Sequence, residues 1–287
     1  MRRMLALFIS ILFIASCNKT EDVTIKNNVP PPDHTIDSST ISIYVNKAYI
    51  NLLGREPSSS ERSTGLGVLR QDNFSLANRQ QFIGSLFSKS EYILNQYSVA
   101  NNEYLRNLDS LEIEQELYLL NYFLTQPQYA PFYDVVNMEI ARIDTLKMVL
   151  PGLIAGTVNY KAMLSRMTNN YFYDQINMGS ENFVVSTYQN FLFRYPTDAE
   201  LANGILMVNG GTTNVFLKPG KSKQDYINIF FETDDYYEGQ VRFVFKKYLF
   251  REPSPAEISL YAGIYKSSGD YKELQKAVFT LDEYAGL

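Results

Sequence analysis

The chain is 287 residues long and 45% apolar, enough for a real core in one domain or two. A formal net charge of −5 argues against a nucleic-acid binder, which needs a basic face. The single Cys and the single His, Cys17 and His34, precede the part expected to fold, so that part holds no disulfide framework, no Cys- or His-based nucleophile relay, no thiolate or imidazole zinc site and no C-x-x-C-H haem attachment, and no metal or cofactor is expected.

The first residues, MRRMLALFISILFIASC, place Arg2 and Arg3 ahead of an apolar run from Leu5 to Ala15. The run is too short to span a bilayer and has signal-peptide flanks, so residues 1–16 are expected to be removed. Ile14-Ala15-Ser16-Cys17 resembles the bacterial lipobox. That resemblance implies a diacylglycerol on the Cys17 thiol and acylation of its freed amine, and two or more chains anchor a protein stably. Asn18 after the Cys suggests outer-membrane sorting. Lys19, Glu21 and Asp22 resemble the signal that carries Bacteroidota lipoproteins to the cell surface. Residues 17–40 read as a polar tether, stiffened by Pro30-Pro31-Pro32.

Residues 41–97 read as a first helical repeat unit. Val45, Ala48, Tyr49, Leu52 and Leu53 share one helical face and lead into LGREPSSSE, from Leu53 to Glu61. Residues 98–180 form a middle helical segment without that pattern. In it Leu111 to Leu124, Phe132 to Leu150 and Tyr160 to Met178 read as helices, the second ended by Pro151-Gly152. Residues 181–240 are a second unit, with Val184, Tyr188, Phe191 and Leu192 leading into LFRYPTDAE, from Leu192 to Glu200. Residues 241–287 are a third, with Val241, Val244, Phe245, Tyr248 and Leu249 leading into LFREPSPAE, from Leu249 to Glu257. Asn209 to Lys223 is the least helix-like stretch of the units and is expected as a long loop turning at Gly210-Gly211. No run alternates like a strand, so the expected fold class is all-α.

The repeated motif has a local reading. Pro57, Pro196 and Pro253 end the incoming helix, because the residue before Pro avoids the helical region. Ser58, Thr197 and Ser254 then cap the next helix, and Glu61, Glu200 and Glu257 complete capping boxes three residues on. Pro255 falls at the first helical position, where a missing N–H costs nothing. Arg55, Arg194 and Arg251 are expected to staple the corner, bonding carbonyls at the end of the first helix or pairing with a carboxylate. The competing reading makes them three copies of an anion- or glycan-binding Arg. Each unit then runs through a second helix and a loop to a third helix. Ser75, Ser222-x-x-Asp225 and the capping box Asp270-x-x-Glu273 open these third helices. Matching tails end them: FSKSEY from Phe87 to Tyr92, FETDDY from Phe231 to Tyr236, and FTLDEY from Phe279 to Tyr284. Units of this size with such internal agreement describe a repeat architecture.

The residues LLGREP, Gly65-Leu66 and SKSEY resemble the helical L-G-R-x-P domains of unknown function in bacterial surface proteins. The resemblance covers about half the chain and lacks the Trp those domains often carry after Gly-Leu. The R-x-P-T-x-x-E corner also resembles modules linked to c-type haem, without their haem motif. Neither resemblance brings catalytic residues. Together with the leader it implies a Bacteroidota surface lipoprotein.

Other candidate sites have plainer readings. Lys221-Ser222 after Gly220 looks like the end of a phosphate loop, but Val215 stands where its leading Gly would be. Asp234-Asp235 and Asp282-Glu283 could hold a cation or cleave a glycoside; they recur at matching places in the units, which the repeat explains. Tyr171, Phe172 and Tyr173 could stack on sugars, yet aromatics at helical spacing usually form core. Asp109-Ser110-Leu111 and Asp144-Thr145-Leu146 resemble the Bacteroidota O-glycosylation pattern, at Ser110 and Thr145. The leading expectation is a non-enzymatic interaction module with an outer-membrane protein partner. A glycan-binding lipoprotein in nutrient capture is the alternative, and a carboxylate-based hydrolase the third.

Overall fold

Helices dominate wherever an apolar stripe meets a side-chain cap, and the computed structural model describes them over residues 35–287. The expected signal peptide at residues 1–16, the lipidated Cys17 and the tether as far as residue 34 lie outside the described residues. Ile36–Leu287 forms one compact unit.

The first helix, α1 (Ser38–Leu53), starts at the N-cap Asp37 and buries Tyr44, Val45, Ala48, Tyr49, Leu52 and Leu53. It begins inside the span assigned to the tether. After it come α2 (Ser59–Arg70), α3 (Leu76–Phe87) and α4 (Ser90–Leu105). The middle contains α5 (Ser110–Leu124), a 3₁₀ turn (Pro127–Phe132), α6 (Tyr133–Lys147), α7 (Val149–Ile154), α8 (Tyr160–Thr168) and α9 (Tyr171–Ile176). Then follow α10 (Ser180–Thr187), a π turn (Tyr188–Leu192), α11 (Asp198–Val208), strands β1 (Thr213–Val215) and β2 (Lys218–Gly220), and α12 (Lys223–Phe230). The chain closes with α13 (Asp234–Leu249), α14 (Pro255–Ser268), α15 (Tyr271–Phe279) and α16 (Asp282–Ala285). The fold class is all-α, as expected, with one small antiparallel hairpin pairing Thr213 with Gly220 and Val215 with Lys218.

Several local expectations need correction. The Pro residues of the corners do not stop the incoming helices. Each helix ends four residues before the Pro, at Leu53, Leu192 or Leu249, and the residue after it is left-handed: Gly54 (φ 73°), Phe193 (φ 57°) and Phe250 (φ 57°). Pro151-Gly152 does not end a helix either; both lie inside α7, where Pro151 sits in the first turn and loses no bond. The expected helix from Tyr160 to Met178 is broken, because the Asn170 side chain accepts from Phe172 N and Tyr173 N and starts α9 afresh. Asn209 to Lys223 is not a plain loop: its turn residues Phe216 and Leu217 take φ 47° and 63°, as a tight hairpin turn requires. The FSKSEY-type tails do not end third helices; their acids and tyrosines open the next helix, α4, α13 or α16. The Asp270 pairing is also not a capping box: Asp270 accepts from Lys272 N, and Glu273 pairs with Lys276 instead.

The core is aromatic, and it joins the two ends of the unit. Tyr44 on α1 donates to the Phe279 carbonyl at 3.0 Å, and Asn51 donates to the Tyr284 hydroxyl at 2.9 Å. Tyr92 on α4 donates to Gln275 on α15 at 2.7 Å. Arg79 on α3, almost fully buried, reaches Asp282 at 2.6 Å.

Candidate functional site

The three corners share one geometry. At each, Ser58, Thr197 or Ser254 accepts from the backbone of the Glu three residues on, and that Glu accepts from the cap's own N–H, so a capping box forms. The Arg then lies across the box. Arg55 donates to both oxygens of Glu61 at 2.8 Å, Arg194 to both oxygens of Glu200 at 2.8 and 2.7 Å, and Arg251 to both oxygens of Glu257 at 3.0 and 2.6 Å. A planar guanidinium facing a carboxylate this way is the strong, geometrically specific form of the pair. The carbonyls it reaches are those of Glu56, Tyr195 and Glu252, within the corner rather than at the end of the incoming helix.

A second carboxylate completes each cluster, and it comes from the tail. Glu91 meets Arg55 at 2.9 Å, Asp235 meets Arg194 at 2.8 Å, and Glu283 meets Arg251 at 2.7 Å. The next residue in each tail, Tyr92, Tyr236 or Tyr284, is buried. The corner thus pins the start of the helix that follows the tail. Sequence reasoning found both motifs but did not join them, because the tail acid stands 36, 41 and 32 residues from its Arg. Their one shared signal was the fixed order of corner and acidic-Tyr tail in every unit.

Electrostatics follows from this geometry. Arg251 beside Glu257 holds that carboxyl down at about 2, and Arg194 does the same for Glu200, also at about 2. Arg55 drives Glu61 lower still. Each guanidinium faces two carboxylates, and Lys89 joins the first cluster at 3.0 Å from Glu61. A corner therefore offers an incoming anion no unsatisfied cation. The arrangement can hold helices together; it has no free acid, base or nucleophile for chemistry.

The remaining candidates are similarly engaged. Asp234 pairs with Lys266 and Asp235 with Arg194, while Asp282 pairs with Arg79 and Glu283 with Arg251, so neither acidic pair stands ready as a general acid and base. Among the described residues no group of three or more His, Cys, Asp or Glu side chains is placed to hold a metal ion. Tyr173 is fully buried, with Phe183 edge-on at 5.8 Å. Ser110 opens α5 behind the cap Asp109, and Thr145 sits on α6 with its hydroxyl donating to the Ala141 carbonyl at 2.8 Å.

What stands out instead is the α5–α6 hairpin. Phe123 meets Tyr129 with ring centres 4.8 Å apart, and Lys147 reaches Glu114 at 2.6 Å, so the two helices run back along each other. Its base is anchored by Ile113, Leu117, Ile143 and Leu146. None of residues 121–142 is buried. Yet Tyr118 is 76% exposed, Phe132 and Val135 are each 58% exposed, and Tyr122 and Met138 each 48%.

Fold and corners define a class: an all-α protein whose helices are joined by Arg-stapled, side-chain-capped corners. No family model, no curated protein and no solved structure matches the chain. Among the described residues no helix is long and apolar enough to cross a membrane.

Proposed function

We propose that this protein is a non-enzymatic helical interaction module, held on the outer-membrane surface by lipid on Cys17, and that it serves as an accessory subunit of an outer-membrane protein complex. The α5–α6 hairpin is its docking element. The observation carrying this reading is the exposed apolar surface of that hairpin. Isolated helices of this length are marginal in water and gain most of their stability from packing an apolar face. A helical hairpin with no buried residue over 121–142, but with Tyr118, Tyr122, Phe132, Val135 and Met138 turned outward, has the composition of an interface core, rich in Tyr, Phe and Met. The expected partner is therefore a protein with an apolar groove, not a charged ligand.

The test is purification of the intact lipoprotein from gently solubilised outer membranes, beside the Tyr118→Glu/Phe132→Glu variant. A partner in fixed proportion that co-purifies with the natural chain and is lost from the variant supports the reading. A chain that purifies alone, or a partner retained by the variant, contradicts it.

A further inference from the structure

A second feature lies away from the hairpin and does not depend on it. A cleft of about 230 Å³ opens where α4, the α7–α8 connection and the α14–α15 connection meet. That volume is below the roughly 300–1,000 Å³ typical of drug-sized ligands, and suits a single small ring. Tyr160 and Tyr271 form its wall, with parallel rings 3.9 Å apart. Tyr271 is buried, so the half-buried Tyr160 is the outer ring of the pair. Behind it lies a buried polar layer: Tyr92 donates to Gln275 Oε1, while Gln275 Nε2 and the Tyr271 hydroxyl are buried and make no hydrogen bond of good geometry among the described residues. Buried polar groups without partners are rare and call for an explanation.

Two further side chains at this cleft have no polar partner among the described residues. Gln96 is half-buried, and its side chain makes no hydrogen bond among the described residues. Lys272 stands in the first turn of α15, where the helix dipole disfavours a cation. It has no carboxylate partner among the described residues and lies 5.5 Å from the Tyr92 ring centre. Asp270 at the same rim balances its charge. An aromatic wall, an unengaged amide and a charge-balanced rim fit a neutral ring with hydroxyls on its edge and C–H groups on its face.

We propose that this cleft binds one ring of a neutral saccharide, its C–H face against Tyr160 and its hydroxyls bonded to Gln96 and Lys272. Ligand-observed saturation-transfer NMR on the whole chain, with glucose, galactose, mannose and N-acetylglucosamine as separate probes, tests it. At least one probe should show transfer, and Gln96→Ala and Lys272→Ala should each weaken it, the charged contact by about tenfold. Neither substitution removes a hydrogen bond of the fold, so both variants should melt as the natural chain does. Should Gln96→Ala fail to fold, Gln96→Met, which keeps the stem, takes its place. No transfer from any of the four probes, or a signal undiminished in either variant, overturns the assignment.

Discussion

At the scale of single residues, the corner is a charged cluster that depends on its carboxylates staying ionised. Glu200 and Glu257 titrate at about 2 in the fold, against 4.5 for an ordinary Glu. A depressed folded value means that the stabilisation is complete above the unfolded value and is lost as pH falls through the folded one. Stability should therefore drop between pH about 4.5 and about 2. The corner Arg side chains are 36–38% exposed, and solvent screens such pairs, so the loss is about 1 kcal/mol per corner. Urea midpoints measured across that range should fall less steeply for Glu257→Gln than for the natural chain; parallel curves would show that Glu257 is not held by Arg251. The cap and its Glu were readable from sequence because both partners lie within one turn of helix. The left-handed stop was not. Gly54 advertises it in the first corner, but Phe193 and Phe250 adopt the same backbone without being the residues that usually do.

At the scale of elements, the tail helix also serves the end of the incoming helix, in two different ways. In the first unit Asn95 on α4 donates to the Leu52 carbonyl at 3.0 Å, one of the acceptors a helix end leaves unpaired. The residue in the same place after the second tail is Gly239 on α13. There the backbones themselves meet: a Cβ on Gly239 would lie 2.0 Å from the Phe191 carbonyl oxygen, in the π turn that closes the incoming helix. Neither backbone can give way cheaply, so Gly239→Ala should cost about 3 kcal/mol. Gly263, on the open face of α14, has nothing within 4 Å of such a Cβ. Gly263→Ala should instead stabilise by about 0.5–1 kcal/mol. Urea unfolding of the two variants gives both signs; equal effects would mean the close approach at Gly239 does not exist. None of this was legible beforehand. Amphipathic spacing gives a helix its inward face, but not the neighbour whose backbone comes nearest. The β1–β2 hairpin stayed hidden because its turn uses Phe216-Leu217, where Asn-Gly would have announced it.

At the scale of the whole molecule, two kinds of surface divide the work. Three corners fix helix to helix and are saturated with internal ion pairs, while the α5–α6 hairpin leaves large apolar side chains in water. Corner positions were legible because the motif recurs. The hairpin's exposure was not, since Tyr118, Phe132 and Met138 would read as core in any sequence. The division can be measured in one experiment: thermal unfolding of the whole chain for Arg55→Ala, Arg194→Ala, Arg251→Ala and the Tyr118→Glu/Phe132→Glu variant. Losing an Arg should cost about 1–2 kcal/mol and lower each midpoint by roughly 2–6 °C. The hairpin variant should stay within about 1 °C of the natural chain, because exposed side chains away from the core contribute little to stability. Three corner variants with unchanged midpoints would contradict the account and make those arginines the place to look for a ligand.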